Sequence, residues 1–217
     1  MKFMNLSETI IEEITDNLDK RRQEITNLRR VLLNHVNKPL EVTVVRMAIP
    51  LLYANWEGYV REVCQLYLEY IEKSGTITRK LRADLLGYLW TSFLKPLTGG
   101  LNFERKKAIA ELALYCMDNC VEFADSEKNI NTKSNLNFAI LEEISRHLCL
   151  NISPLEPWKH HLNVLVNLRN NIAHGSFPSS MNYEIFEDYA CSLMALMESF
   201  ENVIVNTLQS HGFSIQN

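Results

Sequence analysis

Apolar residues recur three and four positions apart along most of this 217-residue chain, which is the spacing that places them on one face of an α-helix. Glycine and proline, the residues that most often form turns, number only 7 and 6. Together they make up about 6% of the chain, where roughly 12% is usual. A sheet of many short strands needs more turns than these residues provide. The sequence therefore predicts an all-α fold.

The apolar periodicity divides the chain into successive helices. It predicts helices over residues 6–37, 41–73, 78–94, 103–124, 135–150, 158–174 and 183–210, with a polar, asparagine-rich loop at 125–137. Asn5 and Glu8 form a predicted capping box, Pro50 either delays or kinks the second helix, and Ser134 or Asn135 caps the fifth. No repeat or change of composition divides the chain. We expect a single domain over residues 1–217, a bundle of about six to seven helices in which the long helix 6–37 packs on the core 41–212.

Charge and cysteine content exclude several classes of protein. Lys and Arg number 22 against 26 Asp and Glu, so the formal net charge is −4. Proteins that coat nucleic acid through bulk charge neutralise many phosphates, which argues against that class but leaves room for a local basic site. The 5 cysteines contain no CxxC pair, and the N-terminus is acidic where a signal peptide is apolar. These patterns predict a cytoplasmic protein with reduced thiols, no disulfide framework, no membrane segment and no bound metal.

The sequence RNNIAHG, residues 169–175, is the one motif that indicates chemistry, since no phosphate-binding glycine loop, HExxH or GxSxG occurs. Asn170 and His174 are four residues apart and share a helix face, whereas Arg169 is rotated by about 140° from His174. Either the long arginine side chain bends back, or a second copy of the helix supplies it across a two-fold axis. We therefore expect a homodimer.

These residue types suit the cleavage of RNA without a metal or another cofactor. An imidazole titrates near neutral pH and can take the proton from a ribose 2′-hydroxyl. A guanidinium binds phosphate oxygens, where negative charge develops as the 2′-oxygen attacks. The Asn170 amide can orient either the imidazole or a phosphate oxygen. The expected product carries a 2′,3′-cyclic phosphate, and DNA is not a substrate because it lacks the attacking hydroxyl.

An arginine followed five residues later by a histidine is a weak motif by itself. A second instance, Arg30 and His35, lies in the first predicted helix, and we interpret both as surface residues. On the residues alone, RNNIAHG is also consistent with a helix C-terminus that His174 and polar capping stabilise.

Three stretches together resemble the HEPN superfamily (higher eukaryotes and prokaryotes nucleotide-binding domain). RNNIAHG resembles its RxxxxH signature, which ends a penultimate helix. Residues 55–72, NWEGYVREVCQLYLEYIE, are similar to the "WE" helix of a stand-alone bacterial branch. Residues 132–150, TKSNLNFAILEEISRHLCL, are similar to the Ser-Asn segment before the catalytic helix. The resemblance covers most of residues 44–201.

The resemblance implies a metal-independent endoribonuclease whose arginines and histidines meet at a homodimer interface, with Arg169, Asn170 and His174 in the motif positions. Such proteins are commonly toxins with a cognate antitoxin protein, or antiphage effectors, and they cut tRNA or other cellular RNA. Many HEPN toxins that are paired with a nucleotidyltransferase antitoxin have tyrosine two residues after the histidine, where this chain has Ser176. Adenylylation at that position is therefore not implied. The alternatives are a catalytically inactive HEPN module that binds RNA, nucleotide or a partner protein, and a helical scaffold without a site.

Further residues are candidates for supporting roles. Glu57 and Trp56 are candidates for supporting the site, although a carboxylate on a packed helix is more often the structural partner of an arginine, and a tryptophan among apolar neighbours more often belongs to the core. Lys159, His160 and His161 are candidate contacts to the RNA backbone, the alternative being a solvated surface.

Overall fold

The structure, a computed structural model, describes residues 5–90, 102–176 and 180–215. These residues form eight α-helices and two 3₁₀ helices, joined by turns and irregular segments. The α-helices are α1 (Leu6–Leu33), α2 (Glu41–Lys73), α3 (Ala83–Leu89), α4 (Phe103–Met117), α5 (Asp125–Lys128), α6 (Phe138–His147), α7 (Lys159–Ala173) and α8 (Tyr183–Gln209). The 3₁₀ helices are Thr78–Lys80 and Ser153–Trp158. These residues contain two isolated β-bridges but no strand, so the predicted all-α class is confirmed.

The first and third predicted helices are too long. Glu8 accepts a hydrogen bond from the backbone N–H of Asn5 (3.1 Å), as the predicted capping box requires, but α1 ends at Leu33 rather than at residue 37. The chain turns there, and Asn37 has a left-handed φ of 57°. The predicted helix 78–94 is wrong, because the extended residues 81 and 82 separate a 3₁₀ turn from α3. Residues 91–94 lie outside the described residues.

The middle of the chain also departs from the predicted boundaries. α4 ends at Met117 rather than at residue 124, because the following segment is extended and the N–H of Val121 donates to the carbonyl of Thr76 (2.8 Å). The predicted loop 125–137 contains the short helix α5. Asn137, rather than Ser134 or Asn135, caps α6, which ends at residue 147 instead of 150. α2 continues through Pro50 without interruption.

α2 is the central helix of the fold. It packs against α1 on one side and against α7 and α8 on others, and α1 also contacts α8. Trp56 and Tyr59 of α2 are fully buried and meet the ring of Phe200 in α8 edge-on, with ring centres 6.2 and 6.5 Å apart. α2 also packs directly against α7, the helix that carries RNNIAHG.

We expect Phe200→Leu to lower the free energy of unfolding by about 1–2 kcal/mol, because it removes both edge-on ring contacts and leaves a poorly filled space. Phe103→Leu is the matched control, since the Phe103 side chain is 74% exposed and its replacement should change stability by about 0.5 kcal/mol at most. Urea unfolding of both variants measures the difference. Equal losses in the two proteins would contradict the packing described for Phe200.

In the described ranges, no helix is both long enough and apolar enough to cross a membrane. All five cysteines fall within these ranges, and none forms a disulfide there. Cys64 in α2 is fully buried, and burial raises the pKa of its thiol.

Candidate catalytic site

The motif RNNIAHG closes α7 with a turn that requires glycine. Gly175 has a φ of 81°, its N–H donates to the carbonyl of Ile172 (3.1 Å), and the N–H of Ser176 donates to the carbonyl of Asn171 (2.8 Å). This pair of bonds is the Schellman motif, which satisfies the last carbonyls of a helix. His174 is the C-cap residue, and it is exposed at the end of the helix.

Arg169 lies partly buried between α7 and α2. Its guanidinium carbon is 4.6 Å from the centre of the Tyr53 ring, within the range of a cation–π contact. Its Nη1 donates to Oδ1 of Asn170 (2.8 Å). In the described residues no carboxylate forms an ion pair with Arg169, whereas Arg21 and Arg29, for example, each pair with a glutamate. Neutral groups therefore hold the positive charge of Arg169.

Asn170 links Arg169 to a distant loop. Its amide oxygen accepts from Arg169, and its Nδ2 donates to Oδ1 of Asn135 (3.0 Å). The structure thus directs this amide toward Arg169 and Asn135, and within the described residues no hydrogen bond joins it to the imidazole of His174.

Residues 132–136, here called the Asn135 loop, are held against α2. The Tyr53 hydroxyl accepts from the N–H of Leu136 (2.6 Å), and the indole N–H of Trp56 donates to the Leu136 carbonyl (3.3 Å). The hydroxyl of Thr132 donates to the carboxylate of Glu57. Three residues along one helix, Tyr53, Trp56 and Glu57, therefore hold the loop that presents Asn135.

Glu57 and Tyr53 are two titratable groups of α2 close to this arrangement. The Glu57 side chain is only 13% exposed, and a carboxylate oxygen lies 3.8 Å from Arg61. Burial is the main cause that raises the pKa of the Tyr53 hydroxyl to about 12, and Glu57 acts in the same direction, while the hydrogen bond from Leu136 and the charge of Arg169 oppose it. Tyr53 is therefore neutral at physiological pH. Glu57 therefore lies beside the loop that contacts Asn170. It also pairs with an arginine, Arg61, as a carboxylate on a packed helix often does.

Lys159, His160 and His161 lie at the opposite end of α7 from His174, about 20 Å away at 1.5 Å per residue. Lys159 contacts Glu142 (3.2 Å) and lies over the ring of Phe138, 4.7 Å from its centre. The structure does not bring these three side chains to the end of α7 that carries Arg169 and His174. Their contact with RNA stays a prediction.

Arg169 and His174 lie at different angular positions around the end of α7. In the described residues no hydrogen bond joins their side chains, and five residues of helix rotate them by about 140°. No group of three or more histidine, cysteine, aspartate or glutamate side chains in this part of the protein is arranged to hold a metal ion.

Sequence reasoning missed Tyr53, Thr132 and Asn135 as site residues. Tyr53 is four residues before Glu57 and therefore on the same helix face, which is a signal that the sequence contains. Thr132 and Asn135 lie in the segment that resembles the Ser-Asn stretch of HEPN proteins, but the sequence indicated no role for Thr132 and indicated Asn135 only as a possible helix cap.

Comparison with protein families matches residues 10–213, nearly the whole chain, to the family described as HEPN_MAE_28990-like HEPN. This match confirms the resemblance to the HEPN superfamily. No curated protein and no solved structure matches the chain significantly.

Proposed function

Because the chain belongs to the HEPN_MAE_28990-like HEPN family, we propose that it is a metal-independent endoribonuclease. The observation that carries this proposal is the environment of Arg169. Its guanidinium is held by the ring of Tyr53 and the amide of Asn170, with no carboxylate paired to it in the described residues. A cation that forms no ion pair in the described residues keeps its charge available for a phosphate and for the negative charge that develops on it.

The proposed reaction is an internal transfer within RNA. The ribose 2′-oxygen attacks the adjacent phosphorus, and the bond from phosphorus to the 5′-oxygen of the next nucleotide breaks. His174 takes the proton of the 2′-hydroxyl or supplies a proton to the leaving 5′-oxygen, and Arg169 stabilises the charge on the phosphate oxygens. The products are a 2′,3′-cyclic phosphate and a free 5′-hydroxyl. Asn170 orients Arg169.

We place the complete site at a homodimer interface, because one chain presents Arg169 and His174 in different directions. Leu40, Met47 and Leu51 are one candidate surface for the dimer, since they are spaced by seven and four residues at the start of α2 and share one face. They are 58, 66 and 52% exposed, so this face presents apolar side chains to solvent.

The resemblance to HEPN proteins is also the basis for a proposed cellular role. We propose a cytoplasmic toxin or antiphage effector that cuts tRNA or other cellular RNA and is controlled by a cognate antitoxin protein. The alternative is a catalytically inactive HEPN module that binds RNA, nucleotide or a partner protein. The separation of Arg169 and His174 within one chain favours that alternative if the protein is a monomer.

Incubation of the purified protein with total RNA in EDTA tests the proposal. We expect cleavage of RNA but not of DNA, with 2′,3′-cyclic phosphate ends that end-group analysis detects. His174→Ala protein purified in the same way controls for contaminating nucleases. Absence of cleavage across tRNA, rRNA and mRNA would contradict the proposed function.

A further inference from the structure

We propose that Asn135 is a positioning residue, which holds Arg169 in its catalytic orientation through Asn170. This inference rests on the proposed function and deepens it. The three side chains form one chain of hydrogen bonds, from Oδ1 of Asn135 to Nδ2 of Asn170 (3.0 Å) and from Oδ1 of Asn170 to Nη1 of Arg169 (2.8 Å).

The orientation of the Asn170 amide depends on Asn135. An amide has a donor end and an acceptor end, and Arg169 can only donate. Asn135 offers an acceptor to the NH₂ group of Asn170, so the oxygen of that amide must point toward Arg169. Without Asn135 the amide is able to turn over and place its NH₂ group against the guanidinium, donor against donor. Asn135 thus stabilises the amide orientation that Arg169, which can only donate, also favours.

α2 in turn fixes the position of Asn135. Lys133 and Ser134 have left-handed φ values of 53° and 51°, a conformation that residues with side chains rarely adopt without support. The contacts of Leu136 with Tyr53 and Trp56 lie immediately after Asn135 and supply this support. Tyr53 therefore contacts both Arg169 and the Asn135 loop. Its ring lies under the guanidinium, and its hydroxyl accepts the hydrogen bond from Leu136.

The position of a guanidinium matters because it binds phosphate through a rigid, planar set of donors. A displacement of about 1 Å is enough to lower the rate of a positioned reaction by up to about 100-fold. We expect Asn135→Ala to lower kcat by about 10- to 100-fold while KM changes little, since Arg169 remains present but is misplaced when charge develops on the phosphate.

Two further variants separate positioning from a general effect on folding. Asn135→Asp keeps an acceptor oxygen for Asn170 and should retain most of the activity that Asn135→Ala loses. Asn167→Ala removes an exposed asparagine from α7 and should cleave RNA at the wild-type rate. Thermal unfolding of each variant confirms that the proteins compared are folded, and if Asn135→Ala does not fold, Asn135→Ser takes its place.

A double-mutant cycle at single turnover, with enzyme in excess, tests whether Asn135 acts through Arg169. In an Arg169→Ala background, Asn135→Ala should cause no further loss, because the group that it positions is already absent. The same fractional loss in both backgrounds would overturn the inference, as would a wild-type rate for Asn135→Ala. If the wild-type protein cleaves no RNA, the proposed function fails and the role of Asn135 fails with it. If the wild type cleaves and Asn135→Ala is equally fast, only the positioning role fails.

Discussion

Replacement of His174 by alanine is expected to lower kcat for RNA cleavage by about 10²–10⁴-fold, the contribution typical of a general acid or base. The fold should survive the change, because His174 is an exposed C-cap residue and the turn that ends α7 depends on the backbone of Gly175. The change in unfolding free energy should be about 0.5 kcal/mol or less. Initial rates on labelled RNA, measured beside thermal unfolding, check both expectations.

His35→Ala is the matched control for this variant. Arg30 and His35 repeat the spacing of Arg169 and His174, but they lie at the end of α1, where Nδ1 of His35 is 2.8 Å from the carbonyl of Val31. The control should cleave RNA at the wild-type rate. Wild-type activity in His174→Ala, or an equal loss in His35→Ala, would contradict the assignment of His174.

Arg169→Ala is expected to lower kcat by about 10²–10³-fold, because it removes the charge that stabilises the phosphate oxygens in the transition state. Arg169→Lys should recover only part of this loss, since lysine keeps the charge but has no planar fork to match Asn170 and the phosphate. Arg30→Ala is the control, because Arg30 is exposed on α1.

Steady-state kinetics distinguish the proposed role of Arg169 from simple binding of RNA. Loss of transition-state stabilisation lowers kcat and kcat/KM together, whereas loss of uniform binding raises KM at constant kcat. A higher KM with an unchanged kcat in Arg169→Ala would place Arg169 in substrate binding alone and contradict its role in stabilising the phosphate.

The end of α7 could be predicted from the sequence because its signals are local. Apolar spacing indicates the helix, and Gly175 supplies the left-handed residue that closes it, so His174 is placed at a helix end by a few neighbouring residues. The scarcity of glycine and proline, a property of the whole chain, also indicated the helical class correctly. The predicted capping box of α1 is likewise contained in four residues.

Two residues of the arrangement around Arg169, Tyr53 and Asn135, could not be predicted because they come from distant parts of the chain. Tyr53 and Asn135 meet α7 only after α2 packs beside it, and periodicity does not specify which side chains of two helices face each other. The same reason explains the boundary errors, since α4 ends where Val121 pairs with Thr76 across the fold. The net charge of −4 is a sum over the whole chain, so it does not report the environment of a single residue such as Arg169, which neutral groups hold in place.

The composite site is tested most directly by a heterodimer of Arg169→Ala and His174→Ala subunits, co-expressed with different tags, purified through both and shown to be dimeric by sedimentation. We expect each variant alone to form an inactive homodimer. If Arg169 of one chain works with His174 of the other, the heterodimer has one complete site of two and should show about half of the wild-type activity. A heterodimer as inactive as both parents would contradict a site shared between two chains.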